Sequence, residues 1–454
     1  MVKRTVVGLA LAGSMMVPGA MAATPEELEV QFKAQAKQIQ ELQHQVQELT
    51  QARSGQEVER AVAGHAELPG AESGERETGS QESHFTRPYT DLTAKAPSAV
   101  GRYFQKLTGA TVGGYATEQF ENFESTNRTF NNQRFIVFVG RELTDRIRFY
   151  SELEFEQLAS VEADPADSRG GAIEVEQAWF DYGISDALNL RFGDVLVPFG
   201  QFNLHHDDPL QELVDRPIVD RRIIPTTWTE TGAGAYGEWN LAGDLRLRYE
   251  GYVVNGLNNK ISATTGGLRD ARGSFGSDNN NDKALVGRLS VSPGPWLDVG
   301  LAGYTGEYDK QQHRINGAAL DWVTKYGPVE LLGEAALFNL QRGFTNSGAV
   351  VPDRLWGTYV EGRYHFWPAW LSNTFLGRGF KHPRLTGTLQ YDHGVIDQFS
   401  NVANAGTLTS DRLTFGLNYR PIEDFVLKLD YEINNGNLER GRSDGLIAAA
   451  ALSF

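Results

Sequence analysis

The sequence predicts an all-β chain: a 16-stranded antiparallel transmembrane β-barrel, preceded by a short N-terminal coiled-coil helix. Three observations predict it. Apolar and polar residues alternate with period two from Thr111 onward. The alternating segments number sixteen, an even count as single-chain bacterial barrels require. The connections between them are alternately short and long, the pattern of barrels with tight turns on one rim and loops on the other. Composition agrees. Only 40% of the 454 residues are hydrophobic, yet aromatics reach 11%, glycines number 49 and mean hydropathy is −0.38. A disordered chain would lack the aromatics. A helical membrane protein would need apolar runs of about 20 residues, and none follows the N-terminus. The net charge of −16 argues against nucleic acid as a partner. With no cysteine, disulfides, thiol nucleophiles and cysteine metal sites are excluded.

The elements follow in order. Residues 1–22 read as a secretory signal: Lys3 and Arg4 form the basic start, Val6 to Val17 the apolar stretch, and Ala20-Met21-Ala22 the small-residue cleavage site. Its loss makes the net charge two units more negative. Residues 24–53 read as a coiled-coil helix. Leu28, Phe32, Gln35, Ile39, Leu42, Val46 and Leu49 recur at alternating spacings of four and three. Three heptads are marginal alone, so the seam is expected to close against other copies of the chain. Residues 54–100 are polar and rich in Gly, Ser, Glu and Pro, which reads as a flexible linker.

Residues 101–454 are the expected barrel. In Asp424–Asn434, Phe425, Leu427, Leu429, Tyr431 and Ile433 alternate with Val426, Lys428, Asp430 and Glu432. Ile147, Phe149, Leu153 and Phe155 oppose Arg146, Arg148, Glu152 and Glu154. Leu245, Leu247 and Tyr249 oppose Arg246, Arg248 and Glu250. Such strands have one apolar and one charged face. A soluble sandwich would put the apolar face inside, whereas a membrane barrel would turn it to lipid. Export, regular loop alternation and aromatics near strand ends (Trp179-Phe180-Tyr182, Trp239, Trp322-Tyr326, Phe366-Trp367) favour the barrel. One connection breaks the alternation: Trp367–Pro383 should be short and is not.

The chain resembles the phosphate-selective porin O and P family of Gram-negative outer-membrane porins. The resemblance rests on the terminal Phe454, on Glu174 to Tyr182 (EVEQAWFDY), and on Arg191-Phe192-Gly193 running into Val197-Pro198-Phe199-Gly200. It implies a trimeric sixteen-stranded barrel in the outer membrane, with the N-terminal helix in the periplasm. It also implies assembly through Phe454 by the barrel-assembly machinery, and an anion-preferring pore lined by arginine and lysine. The expected partners are outer-membrane lipid and small anionic solutes such as phosphate. The alternatives are a general or weakly selective porin, or a structural anchor.

Basic residues on the polar faces are candidate solute contacts: Arg146, Arg148, Arg246, Arg248 and Lys428. Acidic residues share those faces, so mutual compensation is the competing reading. The loop Val195–Thr231 is the longest and the third on its rim, the position that folds into the lumen of sixteen-stranded porins. Apolar Ile218, Val219, Ile223 and Ile224 suit a loop buried in that way. It carries Arg216, Arg221 and Arg222 as further candidates. Arg221-Arg222 either contacts anions through guanidinium forks or anchors the loop to acidic residues such as Glu174 or Glu176. The His205-His206-Asp207-Asp208 run and the Asp278–Asp282 stretch are read as polar loop, because adjacent ligands rarely close a metal site. No metal, cofactor or enzyme activity is expected: there is no GxSxG elbow and no prominent Ser/His pair on one strand face.

Overall fold

In the computed structural model, residues 108–156, 172–241, 243–262, 266–273, 275–276, 278–345, 348–399, 406–439 and 442–454 are described. The expected signal, coiled-coil helix and linker lie outside them. Sixteen antiparallel strands close a barrel in chain order, with the first paired to the last. They are β1 Ala110–Phe123, β2 Thr129–Glu142, β3 Ile147–Glu156, β4 Ala172–Ser185, β5 Leu188–Leu196, β6 Thr229–Asn240, β7 Arg246–Val254 and β8 Ala284–Gly294. They continue with β9 Leu297–Glu307, β10 Arg314–Tyr326, β11 Val329–Leu340, β12 Arg354–Phe366, β13 Arg384–Asp397, β14 Leu408–Ile422, β15 Phe425–Gly436 and β16 Gly445–Ser453. Closure leaves no unpaired strand edge. Phe454 completes the seam: its N–H donates to Gly114 O at 3.0 Å, and Gly114 N–H donates to Phe454 O at 3.1 Å.

The faces are inverted relative to a soluble protein. On β15, Val426, Lys428, Asp430 and Glu432 are buried, while Leu427, Leu429, Tyr431 and Ile433 are each more than 40% exposed. The same holds for Phe415 and Leu417 against Arg412, Thr414 and Asn418 on β14. Charged residues inside and leucine outside suit a barrel surrounded by lipid.

Three expectations are corrected. Loop 3 spans residues 197–228 rather than Val195–Thr231, because Val195 and Leu196 still pair in β5 and Thr229–Thr231 already pair in β6. Arg146 belongs to no strand face; it lies exposed in the turn between β2 and β3. Trp179 is not part of an outer girdle. The β3–β4 register shifts between Glu152 and Leu153, leaving Glu176 as an extra residue. A bulge flips the alternation beyond it. Glu176 and Gln177 are consecutively buried, Trp179 points inward, and Phe180 and Tyr182 point out.

Candidate functional site in the barrel lumen

Loop 3 folds inward, as its apolar residues require. It starts at the Val-Pro-Phe-Gly segment. Val197 N–H donates to Trp228 O at 2.9 Å, which closes the loop at its base. The Phe199 ring packs on Phe338 of β11 (4.9 Å between centroids) and on Trp228 (5.8 Å). Gly200 has φ +78° and lies against the Glu334 carboxylate, where a Cβ would overlap it. That approach lets Phe202 N–H donate to Glu334 Oε2 at 3.1 Å.

The middle of the loop lies along the inner wall. Lys428 donates to Asp208 O at 2.7 Å and Leu213 O at 3.1 Å, and Arg420 donates to Pro209 O at 2.8 Å. Val214 N–H donates to Asp430 at 2.6 Å, and Ile218 N–H to Asp392 at 3.0 Å. Glycines on the inner face make room for the apolar side chains. Val219 and Ile223 sit over Gly357 of β12, Ile218 over Gly394 of β13, and Leu213 over Gly416 of β14. Fully burying each such side chain stabilises by roughly 1.5–3 kcal/mol. Arg412 is the central tie. Its guanidinium lies 3.2 Å from Asp392, 3.3 Å from Asp215 and 3.5 Å from Glu432, and it donates to Arg216 O at 2.6 Å.

Arg221 and Arg222 are ion-paired. Arg221 lies 3.1 Å from Asp215 and 3.4 Å from Glu439, and Arg222 lies 2.5 Å from Glu439. Glu439 belongs to the loop between β15 and β16. Against the upward push of burial, Arg221 and Arg222 hold its carboxyl below the usual range. These arginines anchor one inward loop to another outer loop, on partners other than Glu174 or Glu176.

Arg216 is placed differently. It donates to Thr226 O at 2.8 Å and to Thr227 Oγ1 at 3.4 Å. Two arginines that sequence reasoning did not single out join it there. Arg269 donates to Thr226 O at 2.7 Å, and Arg272 donates to Thr227 O and, at 3.4 Å, to Pro225 O. Both come from the fourth loop, between β7 and β8. Its buried Leu257, Leu268 and Ala271 turn it inward, and Leu268 N–H donates to Arg222 O at 3.4 Å. Three half-buried guanidinium groups thus converge on the 225–227 carbonyls. Among the described residues, no carboxylate oxygen lies within 4.0 Å of any of them. Their crowding shows in their acidity. Burial and the neighbouring Arg134 and Arg269 lower Arg216 to about 10, and burial and Arg272 lower Arg269 to about 10. Across a cavity of about 700 Å³, Arg269 and Arg272 face Glu156, Glu174, Glu176 and Asp194.

The other candidates are compensated or occupied. Arg148 lies 3.4 Å from Asp181 and donates to Tyr236 at 2.7 Å. Arg246 lies 3.8 Å from Glu238 at the short-turn end, Arg248 pairs with Asp298, and Lys428 supports loop 3. Arg191 and Asp181 form a two-bond fork at 2.7 and 2.9 Å, with the Arg191 guanidinium 3.8 Å above Trp179. His206 is buried, its Nδ1 2.9 Å from Asn203 O and its Nε2 3.5 Å from Glu176. Among the described residues, no group of three or more His, Asp or Glu side chains is arranged to hold a metal ion.

A closed barrel with lipid-type exterior, charged lumen and an inward third loop defines a porin-type channel of the outer membrane. Comparison with known proteins agrees. The phosphate-selective porin O and P family matches residues 105–323. An uncharacterised protein of Aquifex aeolicus (strain VF5) is 32% identical over 375 residues, covering 76% of this chain and 79% of that protein. Among solved structures, Salmonella typhi OmpF, in complex with daunomycin, is similar in fold. It has a TM-score of 0.51 and 12% identity, over 76% of this chain and 97% of that one. An anion-selective porin from Comamonas acidovorans aligns with a TM-score of 0.47 and 12% identity, over 76% of this chain and 99% of that one. The chain belongs to the phosphate-selective porin O and P family.

Proposed function

We propose that this porin passes small hydrophilic solutes by diffusion and favours small anions such as phosphate. One observation carries the reading: Arg216, Arg269 and Arg272 converge on the seam of loops 3 and 4 without a carboxylate partner among the described residues. Guanidinium donors beside a water-filled path replace part of the hydration an oxyanion sheds. Arg148, Arg246, Arg248, Lys428, Arg221 and Arg222 then belong to the supporting lining, and Arg146 to the rim. A second reading, a weakly selective porin, is favoured by the carboxylates of Glu156, Glu174 and Glu176 across the same cavity. Transverse charge of both signs orders water and polar solutes without strong preference for either ion.

The homotrimer, the periplasmic N-terminal helix, lipid as the surrounding partner and Phe454 as the assembly signal are part of the same proposal. Their support is the family, the coiled-coil pattern, the apolar exterior and the role of Phe454 in closing the barrel. The test is reconstitution of the mature protein in a planar bilayer. The expected result is stable conductance with chloride and phosphate more permeant than potassium. Absence of conductance contradicts the channel reading, and potassium preference contradicts the anion reading.

A further inference from the structure

The connection between β12 and β13 covers residues 367–383, while neighbouring turns on the same rim need only residues 327–328 and 423–424. In outer-membrane barrels the rim with short turns is periplasmic. The long connection is folded. Ala369–Asn373 forms a 3-10 turn, Leu371 is buried, Trp367 Nε1 donates to Ser372 Oγ at 3.0 Å, and Arg378 N–H donates to Thr374 O at 2.8 Å. It packs on the outside of the barrel. Tyr419, an outward-facing residue of β14, donates its hydroxyl to Leu376 O and stacks on Trp367 with ring centroids 6.2 Å apart. On that outer surface Trp370 is 71% exposed and Phe375 86% exposed, continuing the apolar belt. In the same turn the exposed Arg378, Lys381 and His382 line a cavity of about 840 Å³ with Trp367 and Glu423, whose wall also includes His365, Arg384 and Arg420. Among the described residues, no carboxylate lies within 4.0 Å of Arg378 or Lys381. Arg384 and Arg420, directly opposite on β13 and β14, belong to the inner face, where Glu212 of loop 3 lies 4.0 Å from Arg384 and 3.4 Å from Arg420.

Aromatic rings at the apolar boundary and cations one step towards water match the two ends of an anionic phospholipid. We propose that the 367–383 turn binds an anionic phospholipid of the periplasmic leaflet. Its phosphate lies against Arg378 and Lys381, and its acyl chains lie along Trp370, Phe375 and Tyr419. Continuity with the lipid-facing belt and the charge of the cavity select this occupant. The site needs only the folded barrel in a membrane, so it stands or falls separately from anion selectivity.

The test uses the full mature protein in mild detergent, with bound lipid counted by native mass spectrometry. Dioleoyl phosphatidylglycerol is compared with dioleoyl phosphatidylcholine. The phosphatidylglycerol is expected to bind about thirtyfold more tightly, the effect of two interfacial cations. Arg378→Ala with Lys381→Ala should bring the two lipids level, whereas Arg378→Lys with Lys381→Arg should keep the preference. Trp370→Ala with Phe375→Ala should weaken both lipids alike. Equal binding of the two lipids by the wild type, or an unchanged preference in the alanine variant, overturns the proposal. Displacement of bound phosphatidylglycerol by inorganic phosphate also overturns it, because the site then holds free anions.

Discussion

Arg221, Arg222 and Arg412 lie where loop 3 meets the wall and the β15–β16 loop, and each ends on carboxylates. Arg216, Arg269 and Arg272 lie where loop 3 meets loop 4, and each ends on backbone carbonyls. The residue type is the same; the electrostatic outcome is opposite. A guanidinium facing a carboxylate is nearly neutral at a distance and serves to hold two segments together. A guanidinium facing a carbonyl keeps its full charge and projects a positive potential into the path. Counting arginines on polar faces therefore says little about selectivity, and their partners decide it.

The contrast can be broken from either side. The largest effect is expected at Arg412. Arg412→Ala leaves the buried Asp392 without its ion-pair partner, while Asp215 keeps Arg221 and Arg442 and Glu432 keeps Arg442; breaking a buried pair in this way costs about 3–5 kcal/mol. The expected result is a lower thermal midpoint by circular dichroism in detergent, together with noisier open-channel currents as loop 3 loosens. Next, Arg222→Gln with Glu439→Gln removes both charges of one pair; it should increase current noise but leave the reversal potential close to the wild-type value, since a paired charge contributes little to the path. A clear loss of anion preference in that variant would place Arg222 with the unpaired group instead.

A smaller effect concerns pH. Burial, with Glu176 and Asp208 nearby, pushes the Asp207 carboxyl up to about 6 against the opposing pull of His206. The group is neutral below that pH and charged above it. Anion preference should therefore rise as pH falls from 8 to 5, by about twofold or less, with its midpoint near 6. Asp207→Asn should show the low-pH value throughout. The smallest effect is expected from Arg146→Ala with Arg246→Ala. Arg146 is an exposed turn residue and Arg246 a rim residue partnered by Glu238, so conductance and selectivity should both stay unchanged.

The barrel was legible because its period is local. Two-residue alternation and alternating loop lengths set the strand count, the turn rim and the inward third loop, whose Ile218, Val219, Ile223 and Ile224 needed a buried surface. What sequence could not give was phase and partnership. One extra residue at Glu176 turned Trp179 from the outside to the lumen, and no local pattern marks such a bulge. Arg222 meets Glu439 across a sequence separation of 217 residues. Arg269 and Arg272 sit in a glycine-rich loop without period, and reach the lumen only because Leu268 and Ala271 fold against loop 3. The irregular connection Trp367–Pro383 was visible as a length anomaly, yet its attachment to Tyr419 on the outside was not.

The most direct measurement is the zero-current potential across a planar bilayer under a potassium chloride gradient, for wild type and for Arg216→Ala with Arg269→Ala and Arg272→Ala. The wild type should give a potential of the sign set by chloride permeation. The triple variant should move it through zero towards potassium, because Glu156 and Glu174 then lose the arginines across the cavity. The same potential in both proteins would contradict the assignment of selectivity to the loop 3–loop 4 seam.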